Sequence, residues 1–425
     1  MSTIQKQYDL FVWGCTGYTG HLVCELLVKA FGSTTSLKYC LGGRDMDKME
    51  NLRNKLIRIL DVDNRKGEKI ISTIPMFQCT TEDELRKCIS NSKVCLNLAG
   101  PYLECGEIIV RLCAENYTNY VDITGELYWI RKIQRMYGIS IASKNLKFVV
   151  CSGFIASISD LGLLHLQNFA TSTSGFPCQE VKHYFRHEGH SQEFSSGTIH
   201  SMINLYKSLT SEELTEMGNP YYLCSGTLCL SNINEIMLKN REVIKPIYDE
   251  KLESWTSPMV MSSTIDQFVH FSNEEMGYPY GMDFIFSVRN ICKSYLEALK
   301  NSIMIKVSPF LIQFSLLISK LKCGSTYVSG FGPDTTKAHD TVLEAIFLGH
   351  TLQGKHFKCI VQLKDCEAYV ATAKTALSSV LALIHDEEAL PPRYGISTPA
   401  CLLGTTVIKY CQDLGMQFDT QYIQE

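Results

Sequence analysis

The sequence predicts an α/β fold: an N-terminal Rossmann unit built on a doubly wound parallel sheet, followed by an α+β second domain with a mixed or antiparallel sheet. Three observations carry this expectation. Short apolar, β-branched runs alternate with amphipathic helical stretches through roughly the first 150 residues. A glycine-rich loop joins the first strand to the first helix. After Gly162 the alternation gives way to strand-like segments separated by polar, irregular stretches. The chain has 425 residues, more than one domain usually holds. The expected division is residues 1–155 as the dinucleotide-binding domain and 156–389 as a substrate or dimerisation domain, with 390–425 returning to the first.

The elements follow from periodicity. Tyr8 to Trp13 is apolar, ends at Gly14 and reads as a buried strand. Leu22, Val23, Leu26, Leu27 and Ala30 have helical spacing over His21 to Phe31, and Gly32 stops that helix. Leu37 to Leu41 is the second strand, and Asp47 to Leu60 is a surface helix with Met49, Leu52, Leu56, Ile59 and Leu60 inward. Lys69 to Ile74, Val94 to Leu98, Tyr120 to Ile123 and Lys147 to Cys151 read as further strands. Helices are expected over Thr81 to Ile89, Gly106 to Glu115 and Ile130 to Ala142. Later, Val181 to His187, Tyr280 to Val288 and Cys359 to Leu363 read as strands, and Lys374 to His385 and Thr398 to Leu414 as helices.

Composition excludes several function classes. The formal net charge is -4, a weak field that gives no basis for binding nucleic acid. None of the 18 cysteines forms a C-x-x-C pair, so they read as reduced, mostly buried thiols in an intracellular reducing compartment. The N-terminus shows no apolar signal-peptide core. His183 and His187 sit four apart on a strand, about 13 Å, too far to share an ion. They read as partly exposed strand histidines, and no metal is expected.

The chemistry begins in the loop Gly14-Cys15-Thr16-Gly17-Tyr18-Thr19-Gly20, placed between strand and helix. Gly14 permits the tight turn, Gly17 lets backbone approach a pyrophosphate, and Gly20 permits helix to pack on strand. The helix N-terminus offers amides and partial positive charge to the anion. Thr16, Tyr18 and Thr19 complete this set of cofactor contacts. An NAD-preferring unit places an acid at the end of the second strand. Here the turn is Gly42-Gly43-Arg44-Asp45, and Arg44 can fork onto a 2′-phosphate. NADP(H) is therefore preferred; Asp45 can still reach a ribose hydroxyl, which leaves NAD(H) open.

Further blocks, in order, carry a resemblance: Asn97-Leu98-Ala99-Gly100-Pro101-Tyr102 with Gly106, Tyr120-Val121-Asp122-Ile123-Thr124-Gly125-Glu126, Ser152-Gly153-Phe154, Ser159-Asp160-Leu161-Gly162, Gly197-Thr198 with Ser201, Glu367 to Thr372, and Gly395 to Ala400. With the phosphate loop, they make the chain resemble the saccharopine dehydrogenase-like oxidoreductases, a group that includes bacterial trans-acting enoyl reductases, over nearly its whole length. The resemblance implies hydride transfer between NADP(H) and a small-molecule, apolar or lipid-like substrate. Asn97, Ala99, Gly100 and Pro101 are expected to line the nicotinamide side, with Tyr102 and Asp122 as catalytic candidates and Tyr102 as the leading proton donor. For Asp122 and Glu126, lining the site and capping a helix stand as equal readings. Thr198 and Ser201 either cap their helix or contact substrate. The family motif after the sixth strand is typically Gly-Phe-Asp-Ser-Ile-Pro; here Gly153-Phe154-Ile155-Ala156-Ser157-Ile158 has lost its aspartate and proline.

Ser308-Pro309 is a helix start and Gly324 a stop, with Phe310, Phe314, Leu317, Ile318 and Leu321 on one face. Val307 to Ser319 lacks charge but falls short of the roughly 20 residues that span a bilayer. The helix over 308–323 reads either as a core or homodimer-interface helix or as an interfacial helix on a lipid surface. The resemblance favours the second, with a lipid droplet or membrane surface as its address, a mitochondrion as another, and glycolipid metabolism as the setting. Two functions stand: an NADP(H)-dependent oxidoreductase, or a non-catalytic NADP(H)-binding protein on lipid droplets or membranes.

Overall fold

Strand β1 (Tyr8–Trp13) is buried on both faces, with Leu10 and Val12 entering one core and Phe11 and Trp13 the other, as the period of two requires. It is central to a seven-stranded parallel sheet in this computed structural model, which describes residues 6–32, 36–62, 67–189, 194–224, 244–307, 332–333 and 341–423. On one side lie β2 (Tyr39–Gly43) and β3 (Met76–Gln78). On the other lie β4 (Ser92–Asn97), β5 (Asn119–Asp122) and β6 (Lys147–Val149), and then the late strand β13 (Gly395–Ser397). The order β3-β2-β1-β4-β5-β6 is that of dinucleotide-binding sheets, and it reverses direction between β1 and β4.

Helices cover both faces. Helix α1 (Tyr18–Ala30) and α2 (Met46–Val62) bury Val23, Leu27, Leu52 and Leu56 on one side. Helices α4 (Glu82–Ser90), α5 (Tyr102–Glu115) and α6 (Leu127–Ser143) build the other core around Trp129, Tyr120 and Phe148. Helix α4 opens with a capping box in which Thr81 accepts from Glu84 N and the Glu84 carboxylate accepts from Thr81 N.

One expected strand is absent. Lys69 to Ile74 forms the short helix α3 (Gly67–Ile71) and a turn, and the sheet edge is instead Met76–Gln78. Ile71 and Ile74 are both buried, and their three-residue spacing puts them on one helical face, whereas a strand would turn them to opposite faces.

Helix α7 (Phe154–Ser174) runs from the first sheet to the second. The second sheet has the order β14-β12-β11-β7-β10-β9-β8. Its members are β7 (Glu180–Glu188), β8 (Ile247–Asp249), β9 (Ser254–Ser257), β10 (Ile285–Cys292), β11 (Val342–His350), β12 (His356–Lys364) and β14 (Gln417–Ile423). Strands β7 and β10 pair in parallel and the other pairs are antiparallel, so the sheet is mixed. Helices α8 (Ser196–Ser208), α9 (Ser211–Glu216) and α10 (Ser262–Glu275) lie between its strands in sequence, as does a helix α11 over 295–307. The expected strand over Tyr280 to Val288 begins only at Ile285; Tyr280 and Phe284 are buried loop residues.

Helix α12 (Ala368–His385) packs between α1 and α7. It is the one described helix long and apolar enough by composition to cross a membrane, and its burial makes it a core helix. The single helix expected over Thr398 to Leu414 is two, α13 (Pro399–Leu403) and α14 (Thr406–Asp413), because the chain turns at Gly404 with φ +61°. His183 is not partly exposed but fully buried, stacked on Phe347 at 4.2 Å between ring centroids. No group of metal-holding residues occurs among the described residues. The apolar segment 308–323 lies outside the described residues.

A Cβ at Gly162 would stand 2.4 Å from the Phe347 ring, which is itself fixed against His183. Gly162→Val is therefore expected to lower stability by about 2–3 kcal/mol, read as a drop in urea midpoint with unchanged slope.

Candidate functional site

The phosphate loop stands where β1 ends. Gly14 N and Cys15 N donate to the Gly42 carbonyl, so the loop begins as an extension of the sheet. Gly14 has φ +83°, and a Cβ there would stand 2.8 Å from Ala99 N; no other residue fits both constraints. A Cβ at Gly20 would lie 2.2 Å from the Gly14 carbonyl, so the start of α1 can close on the loop only without a side chain. Gly17 is the N-cap of α1, offers no side-chain bond, and is followed by no acidic residue in the first turn. The N-terminus of α5 is different. There the Glu126 carboxylate accepts from Tyr102 N at 2.9 Å and Leu103 N at 2.8 Å. The protein fills the α5 N-terminus with its own anion, and among the described residues no carboxylate is bonded at the α1 N-cap, which fits a pyrophosphate at α1. Gly14, Thr16, Gly17 and Tyr18 are part-exposed, while Thr19 and Gly20 are buried.

At the end of β2, Arg44 is exposed and its carbonyl accepts from Gln78 Nε2. The Asp45 carboxylate accepts from Lys48 N at 3.0 Å and caps α2. The acid is thus engaged by its own helix, while Arg44 stays exposed at the end of β2.

The loops after β4, β5 and β6 complete the edge. Asn97 is buried; its Nδ2 donates to Tyr120 Oη and its Oδ1 accepts from Ala99 N, which turns the chain out of the strand. Ala99 and Gly100 face outward, and Pro101 is buried. Tyr102 is buried against Trp129, and its hydroxyl donates to the Asn97 carbonyl at 3.0 Å. Burial pushes that hydroxyl well above the ordinary tyrosine range. In this geometry the Tyr102 hydroxyl turns its proton to the backbone at the end of β4.

Asp122 is fully buried, and its Oδ1 accepts from Thr124 N at 3.0 Å and Cys151 N at 2.9 Å. Burial pushes its carboxyl up to about 7, against the two amide bonds that pull it down. It ties the loop after β5 to the end of β6. Glu126 caps α5, not its own helix α6, and also accepts from Ser201 Oγ at 2.7 Å.

Sequence reasoning singled out Thr198, Ser201 and the block Glu367 to Thr372 but did not place them here, and it missed Met261. Gly100 lies against Ser201, Gly125 against Met261, and Gly153 against Thr372. Phe154 N donates to Thr372 Oγ1, and Thr375 Oγ1 donates to the Ser152 carbonyl. Tyr369 meets Tyr18 edge to face at 5.2 Å, and its hydroxyl pairs with Thr198 Oγ1 at 2.8 Å. The cap of α8 is Ser195, not Thr198. Tyr369 is held by Glu367, whose carboxylate accepts from Tyr369 N and Val370 N. The only sequence signal for Tyr369 was its place in the block Glu367 to Thr372. Asp160 likewise accepts from Ala400 N and caps α13.

Residues 10–146 match the family described as the saccharopine dehydrogenase NADP binding domain. The match runs along the first sheet from β1 through β5 and α6. The cofactor class is accordingly NADP(H), in agreement with the uncapped α1 and with Arg44. Over 98% of both chains, this protein is 25% identical to a saccharopine dehydrogenase-like oxidoreductase of Mus musculus. It is 24% identical to a lipid droplet localized protein of Caenorhabditis elegans, over 98% of this chain and 99% of that one. It is 23% identical to a trans-acting enoyl reductase of Mycobacterium leprae, over 99% of each. Apo saccharopine dehydrogenase (L-Glu forming) from Saccharomyces cerevisiae shares the fold, with a TM-score of 0.53 at 10% identity over 98% of this chain and all of that one.

The buried Asp122 gives a pH signature. Its carboxyl titrates near 7 folded and near 3.8 unfolded, so the folded state binds the extra proton between those values. That contribution is full below pH 4 and is lost as pH rises through 7. Asp122→Asn keeps an acceptor for Thr124 N and Cys151 N and lacks the titration. Urea unfolding from pH 4 to pH 8 should show the variant gaining on the parent by a few kcal/mol.

Proposed function

We propose that the chain is an NADPH-dependent reductase of an apolar, lipid-like carbonyl or unsaturated substrate, held beyond the carboxyl ends of β4, β5 and β6. The observation that carries this reading is the chemistry bordering those loops. Ile123, Ile155 and Met261 are partly exposed apolar side chains, and the later-chain residues nearest the three loop glycines are the uncharged Ser201, Met261 and Thr372. A dicarboxylic amino acid would need cations there. The name of the Mycobacterium leprae relative, an enoyl reductase, agrees with this substrate class.

NADPH supplies a hydride when bound. The chain's own part is to hold the pyrophosphate at Gly14 to Gly20, to fork Arg44 onto the 2′-phosphate, and to shape the ring side with Ala99 and Gly100. Asn97, Pro101, Tyr102 and Asp122 act as positioning residues that fix those loops. We assign the proton to Tyr369, whose ring meets Tyr18 at the end of the phosphate loop and whose hydroxyl accepts from Ser195 N and pairs with Thr198 Oγ1.

A second reading has support of its own: an NADP(H)-binding protein without turnover, working on a lipid-droplet or membrane surface. Ile155 stands where the family motif places aspartate, and the Caenorhabditis elegans relative is named for lipid droplets. Purified protein with NADPH and long-chain 2-alkenals or 2-enoyl thioesters separates the two. Steady loss of nicotinamide absorbance supports the reductase; tight NADPH binding without consumption selects the second reading.

Two variants test the assigned roles. Arg44→Ala should weaken NADPH binding by roughly 10- to 100-fold and leave NADH unchanged, read by nicotinamide fluorescence. Tyr369→Phe should lower kcat by about 100-fold with NADPH affinity intact; an unchanged kcat removes Tyr369 from the chemistry.

A further inference from the structure

Helix α11, over 295–307, is amphipathic in the wrong sense for a core helix. It starts with a capping arrangement: Glu297 N donates to Ser294 Oγ, and the Glu297 carboxylate accepts from Lys293 N. The side it turns to the protein is small and polar. Ala298 and Ser302 are buried, Ser302 Oγ donates to the Ala298 carbonyl, and Asn301 Nδ2 donates to Ser257 Oγ at 3.3 Å and Cys292 Sγ at 3.6 Å. The side it turns to solvent is large and apolar. Leu296 is 73% exposed, Ile303 51%, Met304 50% and Val307 39%. Leu296, Ile303 and Val307 follow one another at seven and four residues, which stacks them on one face. Anchoring by small residues on β9 and β10 leaves no inward room for them.

The charges on this helix are arranged for one kind of partner. Lys293, Lys300 and Lys306 are exposed along the apolar stripe, while the carboxylate of Glu297 is turned back onto Lys293 N. Long lysine stems can lie along an apolar contact and lift their ammonium groups to its rim. We infer that the outward face of α11 docks on a phospholipid surface that carries anionic headgroups, with Leu296, Ile303 and Val307 entering the acyl boundary and the three lysines meeting phosphate or carboxylate groups. The surface is read from exposure and charge in residues 293–307 alone, and it stands whether or not the chain turns over NADPH.

The test is flotation of the full chain with vesicles of phosphatidylcholine alone and with about 30% phosphatidylserine. The parent is expected to float with the anionic vesicles and weakly with the neutral ones. Leu296→Glu combined with Ile303→Glu should cut the bound fraction about tenfold. Lys300→Glu combined with Lys306→Glu should abolish the preference for phosphatidylserine. Circular dichroism melts and NADPH fluorescence, unchanged across the set, show that each variant is folded and still holds cofactor. The inference fails if the parent floats with neither vesicle, or if the Leu296 and Ile303 variant floats as well as the parent. It also fails if that variant only converts a dimer to a monomer in light scattering, which would make the face an interface between copies. A reductase assay without turnover, beside intact flotation, would sink the proposed activity and leave this surface standing.

Discussion

The parallel pairing of β1 with β2 and β4 is the constraint from which the site follows. Trp13 is opposite Gly42 on one side and Asn97 on the other, so three chains leave the sheet together at one edge. The Gly42 carbonyl takes the amides of Gly14 and Cys15, and the Trp13 carbonyl takes Leu98 N. With those bonds made, the phosphate loop and the loop after β4 have to run side by side. Each must then avoid the other, and the left-handed Gly14 against the Ala99 backbone is the result. The free end of α1 is thus placed by sheet hydrogen bonds, which are short-ranged and directional, and not by the loop itself.

Buried carboxylates hold the remaining loops. Asp122, Glu126 and Asp160 each exchange water for backbone amides: the loop ends at Thr124 and Cys151, the start of α5, and the start of α13. Burial pushes Asp122 up to about 7 and Asp160 up to about 6, so near neutral pH Asp122 is a half-charged strut and Asp160 a mostly charged one. Their amides would otherwise be orphans at helix ends and loop corners. Acids that look catalytic by position are thus occupied with architecture, and the hydroxyls of Ser201, Thr198 and Tyr369 lie beside the same loops.

The two halves of the chain meet through these hydroxyls and through apolar contact. Helix α12 lies in the core between α1 and α7, and its first turn brings Tyr369 to Tyr18. The proposed substrate region bordered by Ile123, Ile155 and Met261 and the proposed docking stripe on α11 would both suit a molecule that carries hydrocarbon, the first for what reacts and the second for where the protein sits.

The sequence by itself determined the parallel sheet, the phosphate loop and the leaning toward NADP(H). All of these rest on local signals: two- and four-residue periodicity, glycines between strand and helix, and arginine where an acid would repel phosphate. The helix at 67–71 escaped because a short apolar run such as Ile70, Ile71 and Ile74 does not separate a buried strand from a helical turn, and the break at Gly404 because one glycine in an apolar run is ambiguous. Tertiary structure alone decided the roles of individual side chains. Whether Glu126 caps α5 or faces a ligand, whether the Tyr102 hydroxyl is free, and whether Asp45 competes with Arg44 depend on partners that spacing along the chain does not reveal. Tyr369 reaches the phosphate loop from more than three hundred residues away in sequence. Only folding could place its hydroxyl there, because that contact is made by packing α12 on α1 and not by any local preference of the chain.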